Sequence, residues 1–203
     1  YPKIQAIINK IDFLLLSPER QVVLNEVVVY ILSKQEYDKP VSLNFICTHN
    51  SRRSQFSQLW AAVAASYFKI RMQSYSGGVE VTAFNERAIN SLERFGFKIQ
   101  KEGTTNPKYQ ISWSTDEASI SMFSKMVDHE LNPKSNFAAI MTCSHADENC
   151  PIITGSDQRI ALRYEDPKVY DETPLEEEMY DTRSIQIATE MFYVFSEVRK
   201  IIH

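Results

Sequence analysis

The chain predicts an α/β domain in which a parallel sheet carries helices on both faces. Two observations lead there. Short apolar runs alternate with helical patterns in the order strand, helix, strand, helix, hairpin, strand, strand, helix, the order that builds parallel sheets. The three segments richest in reactive side chains, at Cys47, Cys143 and Asp166, each follow one of those runs. The carboxyl edge of an open α/β sheet is where ligands bind, so the three are expected to share one site. The 203 residues suffice for one domain with a good core and an appendage.

The elements follow in order. Residues 1–39 read as helical. Ser17-Pro18-Glu19 opens a helix, with Ser17 as N-cap and Pro18 at the first position. Val23, Val27, Val28, Ile31 and Leu32 form its apolar stripe, and Lys39-Pro40 ends it. Val41 to Ile46 is a short apolar strand, and Ser54 to Phe68 is the helix after the next loop. Ile70 to Ser76 is a second strand that Gly77-Gly78 is expected to stop. Asn85 to Phe95 is a helix closed by Gly96. Lys108 to Trp113 and Ser119 to Phe123 form a hairpin turning at residues 114–117. Phe137 to Thr142 and Arg159 to Tyr164 are strands. The last helix starts near Thr173-Pro174-Leu175-Glu176, where Thr173 and Glu176 suit a capping box.

Composition narrows the functional classes. Charged residues are 24% of the chain and the net charge is -4, so no basic nucleic-acid footprint is present and nucleic acid is not expected as a partner. No apolar run approaches the roughly 20 residues of a membrane span. Three cysteines are odd in number and too few for a disulfide scaffold, so a reducing, cytoplasmic setting is expected.

Cys47-Thr48-His49-Asn50-Ser51-Arg52-Arg53-Ser54 carries the chemistry: Cys, five residues, Arg, Ser. Between a strand and a helix N-terminus, its backbone N–H groups can cradle a tetrahedral oxyanion, and the helix dipole favours negative charge there. The same field favours the thiolate of Cys47. Arg53 can grip two anion oxygens at once, which a lysine cannot. Ser54 can donate to the sulfur, and Asn50 can tie down the loop.

Cys143-Ser144-His145-Ala146-Asp147-Glu148-Asn149-Cys150-Pro151 places two thiols seven residues apart. On a helix they would stand roughly 10 Å apart, whereas a disulfide needs Cα atoms within roughly 7 Å. A bond between them therefore requires the segment to bend or unwind. A zinc site would want four ligands, and only Cys143, His145 and Cys150 are local, so no metal is expected. Asp166-Pro167 taken alone reads as a turn; after a strand and beside the other two segments, at the rim of an oxyanion loop, it can supply a general acid.

These residues resemble a known family. Cys-Thr-x-Asn-Ser-x-Arg-Ser-Gln from Cys47 is similar to the oxyanion loop of low-molecular-weight protein tyrosine phosphatases. It is more similar still to that of the thioredoxin-coupled arsenate reductases built on the same fold. The Cys-x-x-Ala-Asp-x-x-Cys-Pro pattern from Cys143 resembles the reductases' redox segment, which the phosphatases lack. Tyr164-Glu165-Asp166-Pro167 resembles the general-acid segment of both, and Ser76-Gly77-Gly78-Val79-Glu80 the turn after the second strand. The resemblance runs from about Val41 to the C-terminus. It implies a four-stranded parallel sheet, with residues 41–203 as the catalytic domain. Residues 1–40 would be a helical extension and about 106–125 an inserted hairpin.

The resemblance also implies a relay. Cys47 attacks arsenate held by the loop and Arg53 while Asp166 assists the leaving group. Cys143 then takes the Cys47 sulfur, Cys150 takes Cys143, and thioredoxin reduces the resulting pair. The alternative is phosphotyrosine hydrolysis through a phospho-Cys47. No metal or organic cofactor is expected beyond thioredoxin as reductant. Gln58 stands where the reductases carry a Glu that helps bind a potassium ion, which puts that monovalent cation in question. His49 replaces the usual Gly, and Arg52 a frequent Cys, adding a charge suited to attracting an anion. Lys168 stands where phosphatases prefer an aromatic. The added segments leave site cover, partner binding and homodimerisation open.

Overall fold

The computed structural model describes residues 1–37, 39–116, 119–149 and 152–202. Helices α1 (Pro2–Ile8) and α2 (Pro18–Glu36) precede β1 (Ser42–Cys47), α3 (Arg53–Tyr67), β2 (Gln73–Gly78) and α4 (Glu86–Arg94). Strands β3 (Lys98–Glu102), β4 (Lys108–Ser112) and β5 (Ile120–Met122) follow, then β6 (Phe137–Met141), α5 (Ser144–Asn149), β7 (Ser156–Ile160) and α6 (Glu176–Ile202).

The main sheet has four parallel strands in the order β2-β1-β6-β7. β1 lies inside it and all six of its residues are buried, as expected of a strand covered on both faces. The chain leaves β1 to build β2 on one side, then crosses to build β6 on the other. That reversal opens a crevice at the carboxyl ends of β1 and β6. Ile46 pairs with Met141, and the Thr142 amide donates to the Ile46 carbonyl at 2.7 Å. Cys47 and Cys143 therefore leave the sheet side by side.

Residues 1–37 share the main core. Leu24, Val27 and Ile31 of α2 join Leu43, Phe45, Leu59, Trp60 and Phe195 in one apolar cluster. Ser17 caps α2, its Oγ accepting from the Arg20 amide at 3.2 Å. Arg20 then grips Glu190 of α6 with two hydrogen bonds, at 2.9 and 2.7 Å. Trp60 is fully buried, and its indole N–H donates to Ser184 Oγ at 2.9 Å.

Four details differ from the sequence reading. Gly77 and Gly78 do not follow β2 but form its last two residues, opposite Ile46 and Cys47. A Cβ on Gly77 would meet Val127 Cα at 2.6 Å, and one on Gly78 would meet the Glu80 carbonyl oxygen at 2.6 Å. The glycines are there for close approach, not for a turn. The expected hairpin is part of a three-stranded antiparallel sheet, β3-β4-β5. β3 was not foreseen because its residues are mostly exposed and polar. Glu117, in the expected turn, lies outside the described residues.

The strand expected at 159–164 ends at Ile160. Ile160, Leu162 and Tyr164 are buried with a period of two, yet the regular strand stops at Ile160: the Leu162 amide turns back to the Ile160 carbonyl at 3.2 Å, and the Tyr164 amide donates to the Thr142 carbonyl at 3.1 Å. Finally, the expected capping box closes one residue early. Thr173 Oγ1 accepts from the Leu175 amide at 3.3 Å, and Glu176 Oε2 accepts from the amide of Glu172 at 2.6 Å.

Candidate active site

The loop from Cys47 to Ser54 joins β1 to α3 and is tied at nearly every residue. Asn50 adopts φ 46°, a left-handed turn that asparagine tolerates. Its Nδ2 donates to Ser54 Oγ at 2.9 Å, and its Oδ1 accepts from the Lys125 amide at 3.0 Å. Ser54 Oγ lies 3.0 Å from Cys47 Sγ. Because Ser54 already accepts from Asn50, its own proton is free for the sulfur, where it stabilises a nucleophile or a leaving thiolate.

The outer side of the loop leans on the segment after β2. The Glu80 amide donates to the Thr48 carbonyl at 2.9 Å, and Ser51 Oγ donates to the Ala83 carbonyl at 2.7 Å. His49 contributes its carbonyl, which accepts from Ser124 Oγ at 2.8 Å, while its ring pairs with Glu80 at 3.1 Å.

Arg53 opens α3 and draws the third segment in. Its Nη1 donates to the Tyr164 carbonyl at 3.0 Å and its Nη2 to Asp166 Oδ2 at 2.6 Å. Its Nε is buried with no protein partner. A buried N–H without an acceptor costs on the order of 1–3 kcal/mol, so this donor is suited to an incoming anion. Asp166 lies six residues beyond β7, and Arg53 and Tyr164 place it rather than the ladder.

The sequence reading left the role of Arg52 open, with a charge suited to attracting an anion; the structure gives its guanidinium partners on α6 and beyond Asp166. Arg52 Nε donates to Tyr180 OH at 2.8 Å, Tyr180 OH donates to Asp171 Oδ1 at 2.8 Å, and Asp171 Oδ2 stands 3.7 Å from Arg52 Nη2. The guanidinium is thus occupied in tying the loop to α6 and to the segment after Asp166. The buried Tyr180 phenol is held well above its usual pKa, mainly by desolvation and then by Asp171.

Cys143 meets the same loop from β6. It is buried, 3.5 Å from Thr48 Oγ1 and 3.4 Å from the Ala146 amide. Thr48 Oγ1 also lies 3.3 Å from His145 Nδ1. Cys47 and Cys143 are both free thiols and belong to one small apolar cluster with Ile46, Met141 and Ala146. Cys150 lies outside the described residues.

One residue with no sequence signal sits beneath the loop. Lys125 is buried, its ammonium 3.5 Å from Ser76 Oγ and over the Phe123 ring at 5.2 Å. Desolvation lowers its pKa to about 8. Ser76 in turn donates to Gln58 Oε1 at 2.6 Å, and Gln58 Nε2 donates to the Ser74 carbonyl. An ammonium already present, and a carboxamide committed to its neighbours, do not fit a potassium ion at Gln58. Among the described residues no group of three His, Cys, Asp or Glu side chains is placed to hold a metal. No helix among them is long and apolar enough to cross a membrane.

A cavity of about 420 Å³ opens beside the loop, lined by His49, Arg52, Thr82, Lys101, Tyr109 and Lys168 among others. Part of its wall comes from the antiparallel sheet.

No family model matches the chain. Arsenate reductase 2 of Staphylococcus epidermidis is 29% identical over 126 residues, covering 62% of this chain and 78% of that protein. An arsenate reductase of Halalkalibacterium halodurans is 25% identical over 123 residues, covering 61% and 71%. Among solved structures, a low-molecular-weight phosphotyrosine phosphatase from Vibrio cholerae superposes with TM-score 0.51 at 13% identity, covering 77% of this chain and 95% of that one. An arginine phosphatase with a phosphorylated active-site serine gives TM-score 0.51 at 11% identity, covering 79% and 97%. The chain is therefore a sequence relative of the arsenate reductases, built on the fold of the low-molecular-weight protein tyrosine phosphatases.

Proposed function

We propose that this protein reduces arsenate to arsenite through a three-cysteine relay regenerated by thioredoxin. The observation that carries this reading is the placement of Cys143, buried against Thr48, the residue next to Cys47. In a hydrolase a second thiol at that point would serve only to protect Cys47 from oxidation.

In this mechanism the Cys47 thiolate attacks the arsenic of an anion held by the loop amides and Arg53. Asp166 gives a proton to the departing oxygen, which leaves as water. The Cys143 thiolate then attacks the Cys47 sulfur. The electron pair of the S–As bond stays on arsenic, which leaves as arsenite, and a Cys47–Cys143 disulfide forms. Two thiols have supplied two electrons. Cys150 next attacks Cys143, returning Cys47 as thiolate with no net redox change, and thioredoxin reduces the Cys143–Cys150 pair by the same exchange. Asn50 and Ser54 position the Cys47 sulfur, and Arg52 braces the loop against α6.

The test is disulfide mapping after a single arsenate turnover, with Cys143→Ser and Cys150→Ser alongside. A Cys143–Cys150 bond in the wild type, and loss of turnover in both variants, is the expected result. Variants that still reduce arsenate with thioredoxin end the relay.

The cavity beside the loop favours a second reading. Cys47, Arg53 and Asp166 do not line it, and at about 420 Å³ it has room for the organic part of a larger substrate, since cavities of roughly 300–1,000 Å³ hold whole organic ligands. Hydrolysis of a phosphomonoester through a phospho-Cys47 would use the same Arg53 and Asp166. Release of phosphate from an aryl phosphate, undiminished in Cys143→Ser, would identify it.

A further inference from the structure

Asp147 lies on the redox segment and has no part in the chemistry above. Its side chain is only 3% exposed. Two guanidinium groups close on it from outside α5. Arg159 of β7 pairs with Oδ1 and also donates to the Asp147 carbonyl; Arg163, three residues beyond β7, pairs with Oδ2. The Asp147 amide donates to the Cys143 carbonyl at 3.1 Å, and the Ala146 amide donates to the Cys143 sulfur at 3.4 Å. The first turn of α5 therefore holds Cys143 on one side while Thr48 holds it on the other. With 1% of its surface exposed, Cys143 is closed to any external protein.

The fork is the strongest tie on this short helix. A six-residue helix has almost no stability of its own. A buried carboxylate with two arginines is held firmly, and removing its charge removes both ion pairs at once. The clamp arises from β7 and its continuation, the same stretch that carries Tyr164 and Asp166 to Arg53.

We infer that Asp147, clamped by Arg159 and Arg163, is a positioning residue: it keeps Cys143 turned toward the Cys47 loop in the reduced protein. Release of this fork is the step that turns Cys143 outward to its reductant. The inference rests on the relay reading for its purpose, but the clamp is measurable without any turnover.

The experiment alkylates the reduced full-length protein with iodoacetamide and follows each thiol by peptide mass spectrometry. In Asp147→Asn, Cys143 should react about tenfold faster than in the wild type, while Cys47 stays within about twofold. Arg163→Gln, which leaves Arg159 in place, should give an intermediate rate and keeps the test open if Asp147→Asn does not fold. A Cys143 rate within about twofold of wild type in a variant with native circular dichroism overturns the inference. So does an equal rise at both thiols, which would mean general loosening. In arsenate turnover with thioredoxin, kcat should fall and KM stay, since the oxyanion loop is untouched. If the wild type shows no such turnover, the relay is lost, while the alkylation rates still decide the clamp.

Discussion

Arg53 makes two divergent bonds through one planar group, to the Tyr164 carbonyl and to Asp166. A lysine cannot reproduce that fork. Arg53→Lys should lower kcat/KM for arsenate by roughly 10²-fold, the usual loss when one oriented donor leaves a reacting oxyanion. Thermal unfolding should move little; steady-state kinetics beside a melting curve separate the two effects. Lys125 makes a different prediction. Its folded pKa of about 8 lies below that of the unfolded side chain, near 10.5. Between those values the folded state binds fewer protons than the unfolded chain, so stability rises with pH through that window. Below about pH 8 the full cost of burying the charge, about 3 kcal/mol, is present. Lys125→Met should therefore be more stable than the wild type at pH 7, and the gain should shrink toward pH 10.5. Urea titrations at several pH values check this, and a gain that persists at pH 10.5 refutes it. Cys47, Arg53 and Ser54 are legible in the sequence because their chemistry is contiguous. Lys125 is not, since a lysine in a polar stretch carries no mark of burial.

β2 shows how an element can be misread by its composition. Two consecutive glycines signal a break, yet here they are paired residues at the end of the strand that admit the backbone of Val127 and of the Cys47 loop. Gly78→Ala would bring its Cβ within 2.8 Å of the Asn50 amide nitrogen and the Thr48 carbonyl oxygen, both main-chain atoms of the loop. It should cut activity on the order of 10²-fold through loop displacement. Gly103→Ala meets nothing within 4 Å and strains only its φ of 85°, so it should cost about 1 kcal/mol and leave activity intact. Activity and unfolding free energy measured together distinguish them; equal loss in both variants would deny the close-approach account. α2 was legible to its cap, because Ser17 and Pro18 act within one turn. Removing that cap in Ser17→Ala should cost about 1 kcal/mol.

Residues 1–40 read as a helical extension of the catalytic part, and Leu24, Val27 and Ile31 within them are fully buried in the common core. Leu24→Ala should destabilise the protein by about 2–5 kcal/mol, and a chain lacking residues 1–36 should fail to fold cooperatively. Calorimetry decides between this and a detachable extension, which would unfold as a separate transition.

From the sequence one can read the Cys47–Arg53–Ser54 motif and the strand, loop and helix that present it, together with the parallel α/β plan. Each depends on neighbours a few residues apart, where sterics, capping and periodicity act directly. The meeting of Cys143 and Asp166 with that loop depends on contacts across some hundred residues. The Ile46–Met141 register brings Cys143 beside Cys47, and the Tyr164 carbonyl and Asp166 carboxylate reach Arg53 from the irregular stretch beyond β7. The fork on Asp147 and the buried Lys125 ammonium beside Ser76 arise in the same way. Such pairings are set by packing and by the need to match buried charges, forces that no local pattern records.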